Sequence, residues 1–285
     1  MKTRIISGLM MLPLLITVVI GGPVLAVFCL IMGLMAVKEF YNGFEIAGVK
    51  PSFAITAIAA ILLYAILFFM RYNYDIFDMM PVFIFWFFAV TVMSLLYLFN
   101  IDERNLEDAM ATITGIVYIL FFSSHIVLID MKYGGGTNFL GNFPISGIIG
   151  NPVWLVIITA YCSDIFAYFS GYFFGRHKLC PKISPKKTVE GAVGGVVGTM
   201  IFSALFGYYC MWGSSPLVWG AIGLVVSIIS MFGDLTASIF KRKMGIKDYG
   251  KLIPGHGGVM DRIDSILFTA PAVYYIMVFM EAFAV

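Results

Sequence analysis

Nine apolar runs, at 5–20, 23–37, 52–70, 77–99, 106–129, 153–174, 192–211, 217–235 and 266–283, are separated by short polar stretches. Few of them alternate with period two, and most are long enough to cross a bilayer core as a helix, which takes about 20 residues. A backbone in lipid must satisfy its own hydrogen bonds, so the pattern predicts an all-α polytopic membrane protein of about nine transmembrane helices. The first run is short and contains Pro13. Gly21-Gly22-Pro23 leads straight into the second run, so the pair reads as a retained hairpin, spanning or re-entrant, rather than a cleaved leader.

Composition agrees with this pattern. Of 285 residues, 61% are hydrophobic and 12% charged, against about 25% charged in soluble domains. A net charge of +2 says little, but the placement of charge says more. Counted on alternate sides of the spans, sixteen of the eighteen Lys and Arg residues fall on one side, and Arg71 and Lys132 on the other. The positive-inside rule makes the rich side cytoplasmic, with the N-terminus inside and the C-terminus outside. Cys29, Cys162, Cys180 and Cys210 show no CxxC spacing and point to neither a disulfide framework nor a zinc site.

The chemistry is concentrated in the second half, so the chain divides into structural helices at 1–151 and a catalytic region at 152–285. In the first half Glu39, Glu45, Asp102, Glu103, Glu107 and Asp108 read as solvated loop carboxylates, and His125 as a hydrogen-bonded interhelical histidine. In the second half Asp164 stands mid-span, where a buried carboxylate is costly and marks a site or a pair. Tyr168, Gly171 and Gly175 share its helix face. The loop at 176–188 ends in Ser184, Lys186, Lys187 and Thr188 just before a helix whose N-terminus suits a phosphate. Gly191, Gly194, Gly195 and Gly198 then form a close-packing face. Asp234, Ser238, Lys241 and Arg242 fall along one helical stripe, and Asp261, Asp264 and Ser265 along another.

The longest polar interruption is SIFKRKMGIKDYGKLIPGHGGVMDRIDS, residues 238–265. It holds Lys241, Arg242, Lys243, Lys247, Lys251 and Arg262, together with Asp248, Asp261, Asp264 and the turn Pro254-Gly255-His256-Gly257-Gly258. Cations and glycine N–H groups hold a polyphosphate, and spaced carboxylates hold the divalent ion that accompanies it. A basic loop lying on lipid headgroups accounts for the lysines but not for the spaced aspartates.

This stretch resembles the signature of the phosphatidate cytidylyltransferases, the CDP-diacylglycerol synthases. Ser238, Lys241, Arg242, Lys247, Asp248, Gly250, Ile253, Pro254, His256, Gly257, Gly258, Val259, Asp261, Arg262, Ile263 and Asp264 match it. The ISPKKTxEG stretch, 183–191, also looks like this family. The chain departs from the pattern at Ile165-Phe166, where Thr-Gly is expected, and at Val189, where Trp is expected; both concern helix packing rather than charge. The resemblance implies a homodimeric enzyme that makes CDP-diacylglycerol from CTP and phosphatidic acid, with membrane lipids as its surroundings and no nucleic-acid partner. It implies Mg²⁺, with K⁺ as a possible companion, held by Asp234 and Asp261, with Asp264 and Asp164 as further candidates. Lys241, Arg242, Lys247, His256 and Arg262 would serve catalysis, while Ser184, Lys186, Lys187, Thr188, Ser238, Asp248, Lys251, Gly257 and Gly258 would bind substrate. Two other functions use similar residues. One is a CTP-dependent lipid kinase. The other is a transporter, in which Asp164 would be a translocation carboxylate, although repeated halves with broken helices would then be expected.

Overall fold

The computed structural model describes residues 12–72, 80–134, 152–210, 215–252 and 257–283. The apolar runs are helices: α1 (Leu12–Ile20), α2 (Gly22–Ile46), α3 (Phe53–Tyr72), α4 (Met80–Leu96), α5 (Leu106–Tyr133), α6 (Val153–Phe174), α7 (Val189–Cys210), α8 (Pro216–Lys243) and α9 (Met260–Phe283). Eight of these, α2 to α9, are long and apolar enough to cross a membrane. The nine described residues of α1 rise only about 14 Å and do not span by themselves. The first run's other residues, with Pro254 to His256 of the signature, lie outside the described residues. The protein is thus an all-α multi-pass membrane protein, with one small hairpin among the described residues, β1 (Lys178–Cys180) and β2 (Ser184–Thr188).

Several helices outrun their apolar stretches. The apolar run at 217–235 becomes a helix to Lys243, and 266–283 begins at Met260. An α-helix satisfies its own backbone whether lipid or water surrounds it, so it need not stop where hydrophobicity does. Lys241, Arg242 and Asp261 therefore stand on helix ends rather than in loops.

Packing divides the chain into two compact units, Met1–Met131 with Lys243–Arg262, and Lys132–Arg242 with Ile263–Val285. Residues 243–262, part of the signature, thus pack with the first half of the chain. In the first unit α3 lies against α2 and α4, and the Trp86 indole N–H of α4 donates to the Ala59 carbonyl of α3 at 3.0 Å. The turn between α1 and α2 has positive φ at Gly21 and Gly22, and Asp130 accepts the Gly22 N–H at 2.8 Å. Arg71 meets the same carboxylate at 3.0 Å. This sets the C-terminal ends of α3 and α5 side by side, as alternating spans require.

Two first-half carboxylates differ from the solvated expectation. Asp108 is 2% exposed and accepts the N–H groups of Lys50 (2.6 Å) and Asn105 (3.0 Å). Glu39 is half-buried on α2 and bonds the signature loop. His125 is buried as expected, but its Nδ1 bonds the Phe121 carbonyl of its own helix at 2.9 Å.

In the second unit α6 and α7 make the most extensive helix pairing. The expected glycine face is the reason. A methyl on Gly191 would lie 2.8 Å from the Ala167 carbonyl oxygen, and one on Gly195 3.0 Å from that of Ser163. The Phe166 ring sits over Gly198, so the unexpected phenylalanine fills the notch that this glycine leaves.

Candidate active site

Just after α6 the chain turns back as a two-stranded antiparallel hairpin, pairing Lys178 with Thr188 and Cys180 with Ser184. Glu190, in the first turn of α7, closes its base. Its carboxylate accepts the Arg176 N–H at 3.0 Å and lies 2.6 Å from His177 Nδ1. The Thr188 hydroxyl accepts the Gly191 N–H at 3.1 Å, so the threonine caps α7. The charge-rich loop of the sequence is therefore an ordered arm, although its short strands carry a proline, with a second in the turn, and no apolar alternation.

Beneath this arm lies a cavity of about 550 Å³. From α6 it receives Asp164, Tyr168 and Tyr172, from α8 Ser227, Met231 and Asp234, and from the arm Lys178, Lys186, Lys187 and Thr188. Ser227, Met231 and Asp234 share one face of α8 by their i, i+4, i+7 spacing. Lys187 Nζ forms an ion pair with Asp234 Oδ2. Asp164 is not buried by protein but exposed along the cavity. The mid-span carboxylate thus lines the cavity, with the arm's lysines on the same lining.

Asp264 of α9 is 8% exposed and lies within electrostatic reach of Asp234, Lys241 and Asp164. Carboxylate oxygens of this kind suit Mg²⁺. Among the described residues no three carboxylate, His or Cys side chains converge at metal-holding distance. The donor chemistry fits, while Asp234 is engaged by Lys187. Of the other expected residues in this unit, Ser184 heads β2 outside the cavity lining, and Ser238 is buried within α8. Arg242 Nε donates to the Ile183 carbonyl of the arm at 3.2 Å.

The first unit holds the rest of the signature. Asp261 Oδ2 accepts the N–H groups of Tyr249 at 2.9 Å and Gly258 at 3.0 Å, folding the loop onto the start of α9. Gly257 has φ of +87°. An L side chain there would be strained and would press on the Asp261 carboxylate, so the glycine follows from the backbone path. Lys247, Asp248 and Lys251 are exposed, and Arg262 is half-buried. His256 lies outside the described residues.

Sequence reasoning missed four polar cavity residues, Ser163, Tyr172, Lys178 and Ser227. Tyr172 and Ser227 had a signal, standing eight residues after Asp164 and seven before Asp234 and so on the same helix faces. Lys178 had only its place in the basic stretch.

The fold and the cavity together define a class, a multi-pass membrane protein that sets lysines and carboxylates around one pocket. The chain belongs to the cytidylyltransferase family, whose model matches residues 2–280. A phosphatidate cytidylyltransferase of Staphylococcus aureus is 29% identical over 277 residues, 97% of each chain. One of Synechocystis sp. is 32% identical over 196 residues, 64% of this chain and 66% of its own. One of Haemophilus influenzae is 42% identical over 128 residues, 44% of each.

Proposed function

We propose that this chain transfers the cytidylyl group of CTP to phosphatidic acid, giving CDP-diacylglycerol and pyrophosphate for phospholipid biosynthesis. The observation that carries this reading is the cavity in which the arm's lysines face Asp164 and Asp234. Its volume of about 550 Å³ falls within the roughly 300–1,000 Å³ of small-molecule sites. The relatives' names point to the same reaction.

The lipid phosphate is itself the nucleophile, so no side chain need remove a proton from a hydroxyl. One of its oxygens forms a bond to the α-phosphorus as the bond to the pyrophosphate oxygen breaks. What the protein supplies is alignment of two polyanions and neutralisation of charge on the leaving group. Lys178, Lys186 and Lys187 provide flexible point charges for phosphate oxygens. Lys241, Arg242, Lys247, Lys251 and Arg262, with the N–H group of Gly257, are further phosphate donors in this reading, whereas the expected Gly258 N–H is taken by Asp261. Tyr168 and Tyr172, largely exposed on α6, give the cavity an aromatic wall suited to the lipid end of the substrate. Mg²⁺, with K⁺ as a possible companion, would be held by aspartates, in the second unit Asp234 with Asp164 and Asp264 in support and in the first unit Asp261, and when bound adds positive charge at the phosphates. The enzyme works as a homodimer in this reading, with its nucleotide site on the cytoplasmic side.

The position of a radioactive label tests the reaction. Purified protein with Mg²⁺, phosphatidic acid and CTP labelled at the α-phosphorus is expected to put label into the lipid fraction and release pyrophosphate. Label at the γ-phosphorus should stay in the aqueous phase. Transfer of γ-label to a lipid alcohol with release of CDP would make the protein a kinase instead, and no lipid labelling from either nucleotide would return the transporter reading.

A further inference from the structure

Glu39 stands near the C-terminal end of α2, in the half of the chain that the sequence leaves without chemistry. Its Oε2 accepts the Met260 N–H at 2.9 Å, and the Val259 N–H also donates to the carboxylate. These amides open α9, where N–H groups have no partner within the helix and a negative charge is favoured. The same carboxylate lies against the Cα atoms of Gly250 and Gly258, and a methyl on either glycine would run into it. Glu39 therefore holds both flanks of the signature loop and the helix start that carries Asp261 and Arg262. Asp261 completes the arrangement by accepting the Tyr249 and Gly258 N–H groups. The packing also spends the first amides of α9 on Glu39, so they are not available to a substrate phosphate.

We propose that Glu39 is a positioning residue for the cytidylyl transfer, a cap supplied by another helix that fixes Asp261 and Arg262 in their working geometry. The proposal rests on the reaction assigned above. A carboxylate placed only for folding would affect how much protein folds. A positioning carboxylate affects what the folded protein does.

Full-length protein in detergent, wild type and Glu39→Ala, is compared in three measurements. Amide hydrogen exchange without added metal reads the loop itself. Met260 is expected to exchange about tenfold faster in the variant, as loss of its acceptor implies, and Tyr249 and Gly258 are expected to exchange faster as well, because the loop that Glu39 orders holds them against Asp261. Steady-state kinetics per folded protein should show kcat lower by about 10- to 100-fold, the usual cost of losing a group that orients a ligand. KM for CTP should change by less than about threefold. The Mg²⁺ concentration for half-maximal rate should rise. Exchange and kcat equal to wild type, or a loss of activity that merely tracks the loss of folded protein, would overturn the proposal. Should Glu39→Ala not fold, Glu39→Gln carries the test, since its side chain keeps one acceptor oxygen. Intermediate exchange and a several-fold lower kcat support the role, and wild-type values in both reject it. Failure of the wild type to make CDP-diacylglycerol would instead refute the assigned reaction, and the exchange measurement would still report whether Glu39 orders the loop.

Discussion

Asp234 joins two demands that can be separated by magnitude. Its ion pair with Lys187 links side chains that are each about a quarter exposed, 25% and 26%. A pair so open to solvent contributes roughly 0–1 kcal/mol to stability. If the carboxylate is a ligand for the ion that accompanies CTP, its loss should cost about 10- to 100-fold in turnover or more. Asp234→Asn keeps the volume and removes the charge. The expected result is a protein with nearly unchanged thermal unfolding and turnover at least tenfold lower at ordinary Mg²⁺. Turnover within about threefold of wild type would remove Asp234 from the set of metal ligands. Both residues of this pair were legible as candidates from their neighbours in sequence, but their partnership was not. It depends on the arm folding back over α8, and nothing local in ISPKKT encodes where Lys187 ends up. Glu39 was less legible still. Its partner Met260 is 221 positions away, and a glutamate at the polar end of an apolar helix looks the same whether water or a backbone amide satisfies it.

Among the elements, α6 and α7 show how far a small-residue pattern can be trusted. Gly191, Gly194, Gly195 and Gly198 were expected to let a backbone approach, and α6 does approach there. Gly195 tests this apart from the chemistry, because it is buried in the pairing and does not line the cavity. A β-branched side chain must displace the Ser163 carbonyl at 3.0 Å and the Ala167 methyl at 3.1 Å. Overpacking of this kind costs about 1–3 kcal/mol, which for a chain of this size lowers Tm by roughly 2–12 °C. Gly195→Val in detergent is expected to fall in that range, and a shift under about 1 °C would show that the helices can part without cost. The β1–β2 arm was not legible, because strands of three and five residues with a proline and several charges lack the alternation that marks a half-buried strand. Pairing and the Glu190 clasp hold it, and both depend on where α7 begins.

For the whole molecule, the spans were readable from hydropathy, since among the described residues eight of the nine apolar runs are helices long and apolar enough to cross a membrane. Their bounds were read short, because polar helix turns continue beyond the apolar runs, although the stripes at 234–242 and 261–265 already put the charged residues of the site on helical turns. Orientation rests on a different signal, the sixteen-to-two distribution of Lys and Arg. Contacts within the first unit agree with the alternation behind that count. Glu39, beside Lys38, bonds the signature loop, and Arg71 meets Asp130 just before Lys132. The positive-inside rule makes the cytoplasm the expected home of the Lys- and Arg-rich side. The proposed reaction needs the same answer, because CTP is a cytoplasmic nucleotide. Single cysteines at Lys251 and Val285, in a chain lacking Cys29, Cys162, Cys180 and Cys210, put the question to intact cells with a membrane-impermeant thiol reagent. Position 285 is expected to label from outside. Position 251 should label only after the membrane is opened, and ready labelling there in intact cells would reverse the orientation and leave the site without access to its nucleotide.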